Sequence, residues 1–273
     1  MSILFLTQEL AAKVEKSETL AAVECAEAVN ASKRGSAALE PIAGGYAIYT
    51  GPESPITQAV GLGMNGPVTS AEFDQLENFY FSRNEPSRIE TCPLADPSLF
   101  ALYAERGYRA TEFSSVLARP IDATTTFITV PGVEIRRAAP NQLRLWAETV
   151  AQGFADDYPV TPELIDVISL FSTGKNSECY FAYVDGQIAG GGTVAMRDQV
   201  AGIFGASTLP QFRRRGVQTA LLHNRLRRAA ESGCDVAVSL TRPASISERN
   251  ILRNGFRVLY TRIKFERPVL AHV

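Results

Sequence analysis

A chain of 273 residues, 45% hydrophobic and 9% aromatic, is long enough for two domains with real cores. Its formal net charge of −2 supplies no global field to gather nucleic acid or an anionic membrane, so a small, locally held anion is the expected ligand. Cys25, Cys92, Cys179 and Cys234 form no C-x-x-C pair, and His223 and His272 are the only histidines, which argues against a metal site and for free thiols in a reducing cytoplasm.

The apolar start, residues 1–6, is too short for a signal peptide, and no run approaches the roughly 18 apolar residues of a membrane span. A cytoplasmic monomer or homodimer is expected. From Glu9 to about Lys33, apolar residues at Leu10, Val14, Leu20, Val23 and Val29 in an Ala- and Glu-rich setting predict one or two helices. Strands are predicted over 46–49 and 59–63, with the turn Gly51-Pro52 between them. Helices follow over 70–81, with Ser70 as N-cap, and 98–106, closed by Gly107; a strand over 113–117 comes next. A threonine-rich run leads into Pro131-Gly132, which sets the domain boundary: 1–130 and 131–273.

The second half opens with a strand over 133–136 and a helix over 140–153. Thr161-Pro162 starts another helix, the threonine as N-cap and the proline in the first turn. Residues 179–184 and 187–194 flank Asp185-Gly186 and read as a hairpin. A buried strand over 200–206 leads through Thr208-Leu209-Pro210-Gln211-Phe212-Arg213-Arg214-Arg215-Gly216 into a helix carrying Leu222, Leu226, Ala229 and Ala230 and stopped by Gly233. Then come a strand over 236–240, a helix over 245–253 capped by Gly255, and a closing strand over 256–265.

The turn at 208–219 carries the chemistry. A helix start leaves backbone N–H groups without partners and adds partial positive charge, so a phosphate fits there, above all where a glycine removes the blocking side chain. Gly216 supplies that gap, and the arginines supply charge and planar donors. The plain alternative is a solvated basic turn.

These residues resemble the acetyl-CoA loop of the GCN5-related N-acetyltransferase (GNAT) family, Q/R-x-x-G-x-G/A, with Arg213 to Gln218 on its six positions in order. Gln218 departs from the usual Gly or Ala, and a glutamine there could crowd the diphosphate or donate to it. The element order of the second half, β-α-α-β-β-β-α-β-α-β, is the one that fold uses. The resemblance implies an α/β protein with mixed sheets flanked by helices. It implies acetyl-CoA as co-substrate, an amine acceptor and no metal. It places the donor on Thr208, Leu209, Arg214, Arg215, Gly216, Val217, Gln218, Thr219 and Asn250, with backbone N–H groups near Thr208 and Leu209 meeting the thioester carbonyl.

Gly107-Tyr108-Arg109 and Gly255-Phe256-Arg257 lie 148 residues apart, as do Arg119-Pro120 and Arg267-Pro268. That common offset suggests that the first half is a second copy of the fold. Its helix start, Pro67 to Glu72, has no arginine and carries an acid, which is unsuited to diphosphate. The chain therefore resembles a tandem GNAT protein with a degenerate first copy.

The family's usual general acid is a tyrosine four residues before the helix-ending glycine. Here that position is Ile251, whereas Tyr103 holds it in the first half, where a core role is expected. Tyr260, Ser245 or water remain as candidate acids, with Tyr260 first. Asp156 and Asp157 are candidates to hold or deprotonate the amine. Two functions of different class stay open: an N-acyltransferase, or a non-catalytic CoA-binding or ligand-sensing module.

Overall fold

The computed structural model describes residues 4–32, 36–52, 54–156 and 158–269. The first half contains α1 (Gln8–Ser32), β1 (Ala38–Ile42), β2 (Gly45–Tyr49), β3 (Gln58–Val60), α2 (Ser70–Phe81), β4 (Ser87–Thr91), α3 (Pro97–Arg106) and β5 (Arg109–Pro120). The second begins with β6 (Val133–Arg137), α4 (Leu143–Gly153), α5 (Pro162–Leu170) and the hairpin β7 (Ser177–Val184) and β8 (Gln187–Arg197). It continues through β9 (Val200–Thr208), α6 (Val217–Glu231), β10 (Val236–Thr241), α7 (Ile246–Arg253) and β11 (Arg257–Arg267).

By packing, the chain forms two compact units. One is built from Phe5–Val116, Thr241–Glu248 and the segment from Val258; the other from Leu117–Leu240 and Arg249–Arg257. A single cut between 130 and 131 would assign β11 to the second segment. Almost all of it packs in the first unit, where it pairs antiparallel with β4, Ile263 opposite Thr91.

The first unit has a mixed sheet: β1, β2 and β3 are antiparallel, β3 and β4 parallel, and β11 and then β5 follow. Its core is Phe73, Leu76, Ile89, Leu99, Leu102, Tyr103 and Tyr108. Tyr103 donates to or accepts from Thr91 Oγ1 at 2.7 Å and stacks on Phe265, so it is a core residue. The strands β1 and β4 escape the sequence reading for a physical reason. Strand β1 contains Pro41, and β4 reads Ser-Arg-Ile-Glu-Thr, with one large apolar side chain, Ile89.

The second unit is also mixed. β10 and β9 are parallel, and β9, β8, β7 and β6 run antiparallel in that order. Successive residues of β8 point to opposite faces: a Cβ on Gly191 would meet Trp146 of α4, and one on Gly192 would meet Arg225 of α6. Leu221, Leu222 and Leu226 of α6 pack with Val194, Ala201 and Ala237 on one face. Trp146, Val150, Ile168 and Phe181 fill the other.

Candidate active site

A gap in the second unit's sheet defines the site. Strands β9 and β10 pair only from Val200 opposite Val236 to Gly202 opposite Val238. Beyond that the Ser239 hydroxyl takes the Ile203 carbonyl at 2.9 Å, and β9 runs on to Thr208 with no further pairing to β10. On its other edge, Leu209 N–H donates to Ala189 O at 2.9 Å. Backbone groups of a strand alternate, so the Thr208 N–H points to the open edge.

The turn that follows leaves the start of α6 open. Pro210–Phe212 form one 3-10 turn, Arg214 is left-handed at φ +60°, and Gly216 caps α6 at φ +78°. A side chain on Gly216 would be strained by that φ, and its Cβ would lie 2.7 Å from Val130 Cγ1. The first internal bond of α6 is Ala220 N–H to Gly216 O, 2.9 Å, and no side chain caps the helix. The N–H groups of Val217, Gln218 and Thr219 therefore stay unpartnered within the described residues.

The arginines divide their work. Arg213 pairs with Asp156 and reaches Gly153 O at 3.5 Å, and Arg215 pairs with Asp185 Oδ2 at 2.9 Å. Both pairs are exposed, so each braces a loop more than it stabilises the fold. Arg214 is exposed and has no carboxylate partner among the described residues, which leaves its guanidinium available at the helix start. Gln218 donates its amide to Thr208 Oγ1 at 2.9 Å, linking the first turn of α6 to the end of β9. Leu209 packs on the core and Val217 is buried, which anchors both ends of the turn.

The expected catalytic side chains fare differently. Tyr260 lies in β11, in the first unit, 6% exposed, and donates its hydroxyl to Glu15 Oε1 at 2.7 Å. Arg262 donates to the same oxygen at 2.9 Å. Burial first, and the Glu15 charge next, push the Tyr260 pKa far above its ordinary value. A phenol held this way in a buried ion pair is a structural donor and a poor source of a catalytic proton. Asp156 is committed to Arg213, and Asp157 lies outside the described residues. Ser245 Oγ accepts the Glu248 N–H at 3.1 Å. Asn250 is half-buried on α7, and its carbonyl accepts from Asn254 Nδ2 at 2.7 Å. Ile251 packs against the core. Among the described residues, no group of three or more His, Cys, Asp or Glu side chains gathers as metal ligands.

Among the buried polar residues that sequence reasoning passed over, Arg225 and His223 both lie on α6. Their only sequence signal is position: each falls beside the apolar row Leu221, Leu222 and Leu226 rather than on a purely polar face.

The start of α2 in the first unit, by contrast, is capped. Thr69 and Glu72 form a capping box on α2, Glu72 N–H to Thr69 Oγ1 at 3.2 Å and Thr69 N–H to Glu72 Oε2 at 2.8 Å. The Asp96 N–H donates to Gly63 O at 2.8 Å, and Val68 N–H donates to Ser98 Oγ at 2.8 Å.

Residues 145–256 match the family model described as acetyltransferase (GNAT) family. No curated protein matches the sequence. In structure the chain is similar to a GCN5-related N-acetyltransferase from Kribbella flavida, with a TM-score of 0.65 and 18% identity over 89% of this chain and 95% of that one. It is also similar to a tandem GNAT protein from the clavulanic acid biosynthesis pathway, with a TM-score of 0.57 and 14% identity over 74% and 70% of the two chains. At such identities the likeness is one of fold.

Proposed function

We propose that this chain, which has the GNAT fold and a GNAT domain matched over residues 145–256, is an acetyl-CoA-dependent N-acyltransferase acting on an amine. The observation that carries the reading is the uncapped start of α6 at the mouth of the gap between β9 and β10. The N–H groups of Val217, Gln218 and Thr219, with Arg214, hold the diphosphate, and Gly216 lets it approach the backbone. The Thr208 N–H meets the thioester carbonyl, while the Leu209 N–H stays with Ala189. The amine attacks that carbon, the C–N bond forms and the C–S bond breaks. The amine's proton goes to solvent, and water protonates the departing thiolate, whose thiol is only weakly basic, with a pKa about 8.5.

The first unit is, on this reading, a copy of the fold without a donor site, because α2 satisfies its own helix start. The buried Cys92, Cys179 and Cys234, none of them in a disulfide among the described residues, suit a cytoplasmic protein. Among the described residues no helix is long and apolar enough to cross a membrane. A second reading, a CoA-binding or ligand-sensing module, is favoured by Ile251, an aliphatic side chain at the position where the resemblance implies a tyrosine.

The test combines calorimetry with CoA and thiol release from acetyl-CoA across a panel of small and protein amines. Amine-dependent release supports the transferase. Binding without release across the panel assigns the module, and absence of CoA binding removes both.

A further inference from the structure

The second unit buries a cation, Arg225, among backbone carbonyls. Arg225 lies in the third turn of α6 and is 1% exposed. Among the described residues no carboxylate bonds it. Its partners are three backbone carbonyls: Nε donates to Leu221 O at 3.0 Å, and Nη1 donates to Thr193 O at 3.0 Å and Phe204 O at 3.1 Å. Burial lowers its pKa to about 9, so the guanidinium remains charged at neutral pH. A charge kept in such a place is costly unless its hydrogen bonds are made, and an apolar side chain would fit the surrounding row of leucines.

Those two strand carbonyls sit where the ladder between β8 and β9 slips. Gly191 faces Ser207 and Thr193 faces Phe204, so two steps along β8 match three along β9. The extra residue is a bulge at Gly205, which is left-handed at φ +56°. A bulge leaves local backbone groups without ladder partners, and it re-aims the residues that follow. Those residues are Ala206, Ser207 and Thr208, the edge that borders the gap. Gly192 gives Arg225 its room, since a Cβ there would stand 3.0 Å from the guanidinium carbon.

We infer that Arg225 is a positioning residue: it holds the β9 bulge by taking the Thr193 and Phe204 carbonyls, and so aims the Thr208 N–H at the thioester. The inference rests on the proposed acyl transfer and concerns a residue outside the diphosphate turn.

Arg225→Leu keeps an apolar fill and removes the donors; Arg225→Lys keeps charge and part of the donor capacity. In the full chain, Arg225→Leu is expected to lower kcat for acetyl transfer at least tenfold while CoA affinity stays within twofold, with Arg225→Lys recovering part of the rate. Amide exchange at Leu209, whose N–H bonds Ala189, should accelerate in the same variant. If Arg225→Leu does not fold, Gly205→Ala strains the bulge from the other face, where its Cβ would meet Phe171 at 3.0 Å, and should give the same split. An unchanged kcat, or a parallel loss of rate, CoA affinity and melting temperature, overturns the inference. If the unaltered chain transfers no acetyl group to any amine, the functional reading fails on its own, and exchange at Leu209 still decides. Faster exchange at retained global stability supports the bulge role, and unchanged exchange overturns it.

Discussion

The starts of α6 and α2 share a frame and differ in chemistry. Each follows a strand whose end is pinned by one backbone bond, Leu209 N–H to Ala189 O at 2.9 Å and Gly63 N–H to Ala43 O at 3.1 Å. These two bonds lie at one common sequence offset. After that the helices part. α6 begins at a left-handed glycine with no side-chain cap, beside an arginine with no carboxylate partner among the described residues, whereas α2 begins at Thr69 and closes its own donors with Glu72. A carboxylate in the first turn already occupies the place a phosphate would take. The difference teaches what the proposed anion site turns on: α6 leaves its helix start unfinished, whereas α2 completes the ordinary cap.

The largest expected effect breaks the comparison on the α6 side. Gly216→Trp must adopt φ +78° and displace Val130, and calorimetry with CoA should find no binding at all. Binding of unaltered strength would remove the diphosphate from this turn. Arg214→Gln comes next and should weaken CoA by about 1.5–3 kcal/mol, the usual worth of a hydrogen bond to a charged group. Arg213→Gln and Arg215→Gln should cost less, because their guanidinium groups already face Asp156 and Asp185.

Two changes sharpen the first-unit side. Tyr260→Phe removes a buried donor from Glu15 and should lower stability by about 1–3 kcal/mol, measured by urea unfolding, with the transfer rate unchanged. A tenfold rate loss at intact stability would restore the phenol to catalysis. Thr69→Ala should lower stability by about 1 kcal/mol through the lost cap and create no CoA binding, since the Asp96 bond to Gly63 still closes that unit's strand end.

The smallest effect is one of pH. Burial holds the His223 imidazole below its usual pKa, and the charges of Arg119 and Arg227 act the same way against the Asn254 hydrogen bond. A depressed histidine favours the folded state fully above its unfolded pKa, near 6.5. That contribution is lost as pH falls through the lower folded value. The melting temperature should therefore fall more steeply below pH 6.5 in the unaltered protein than in His223→Gln. Equal slopes would show that another group carries the dependence.

The turn at 208–219 is legible in sequence because everything that makes it is local: a proline, a glycine and the absence of a capping side chain within a few residues. The gap beside it is not legible. It depends on β10 leaving β9 after Gly202, a separation between strands more than thirty residues apart in the chain. Tyr260 illustrates the same limit, since its partner Glu15 is 245 residues away. Arg225 is hidden by its neighbours, because Arg227 and Arg228 on the same helix make it read as one more solvated cation. Gln218 could be placed on the turn by sequence, but its direction toward Thr208 is a fact of three dimensions.

The last strand binds the history of the two halves together. Because β11 lies between β4 and β5 in the first unit's sheet, a stop codon after Gly255 would spare the strands around the donor turn and strip an interior strand from a unit encoded far upstream. The exposed edge of β4 would then be free to recruit other chains. A gene for this protein thus cannot be shortened or recombined at the threonine-rich linker without harm to the half that looks complete, and the two segments are bound to be inherited as one.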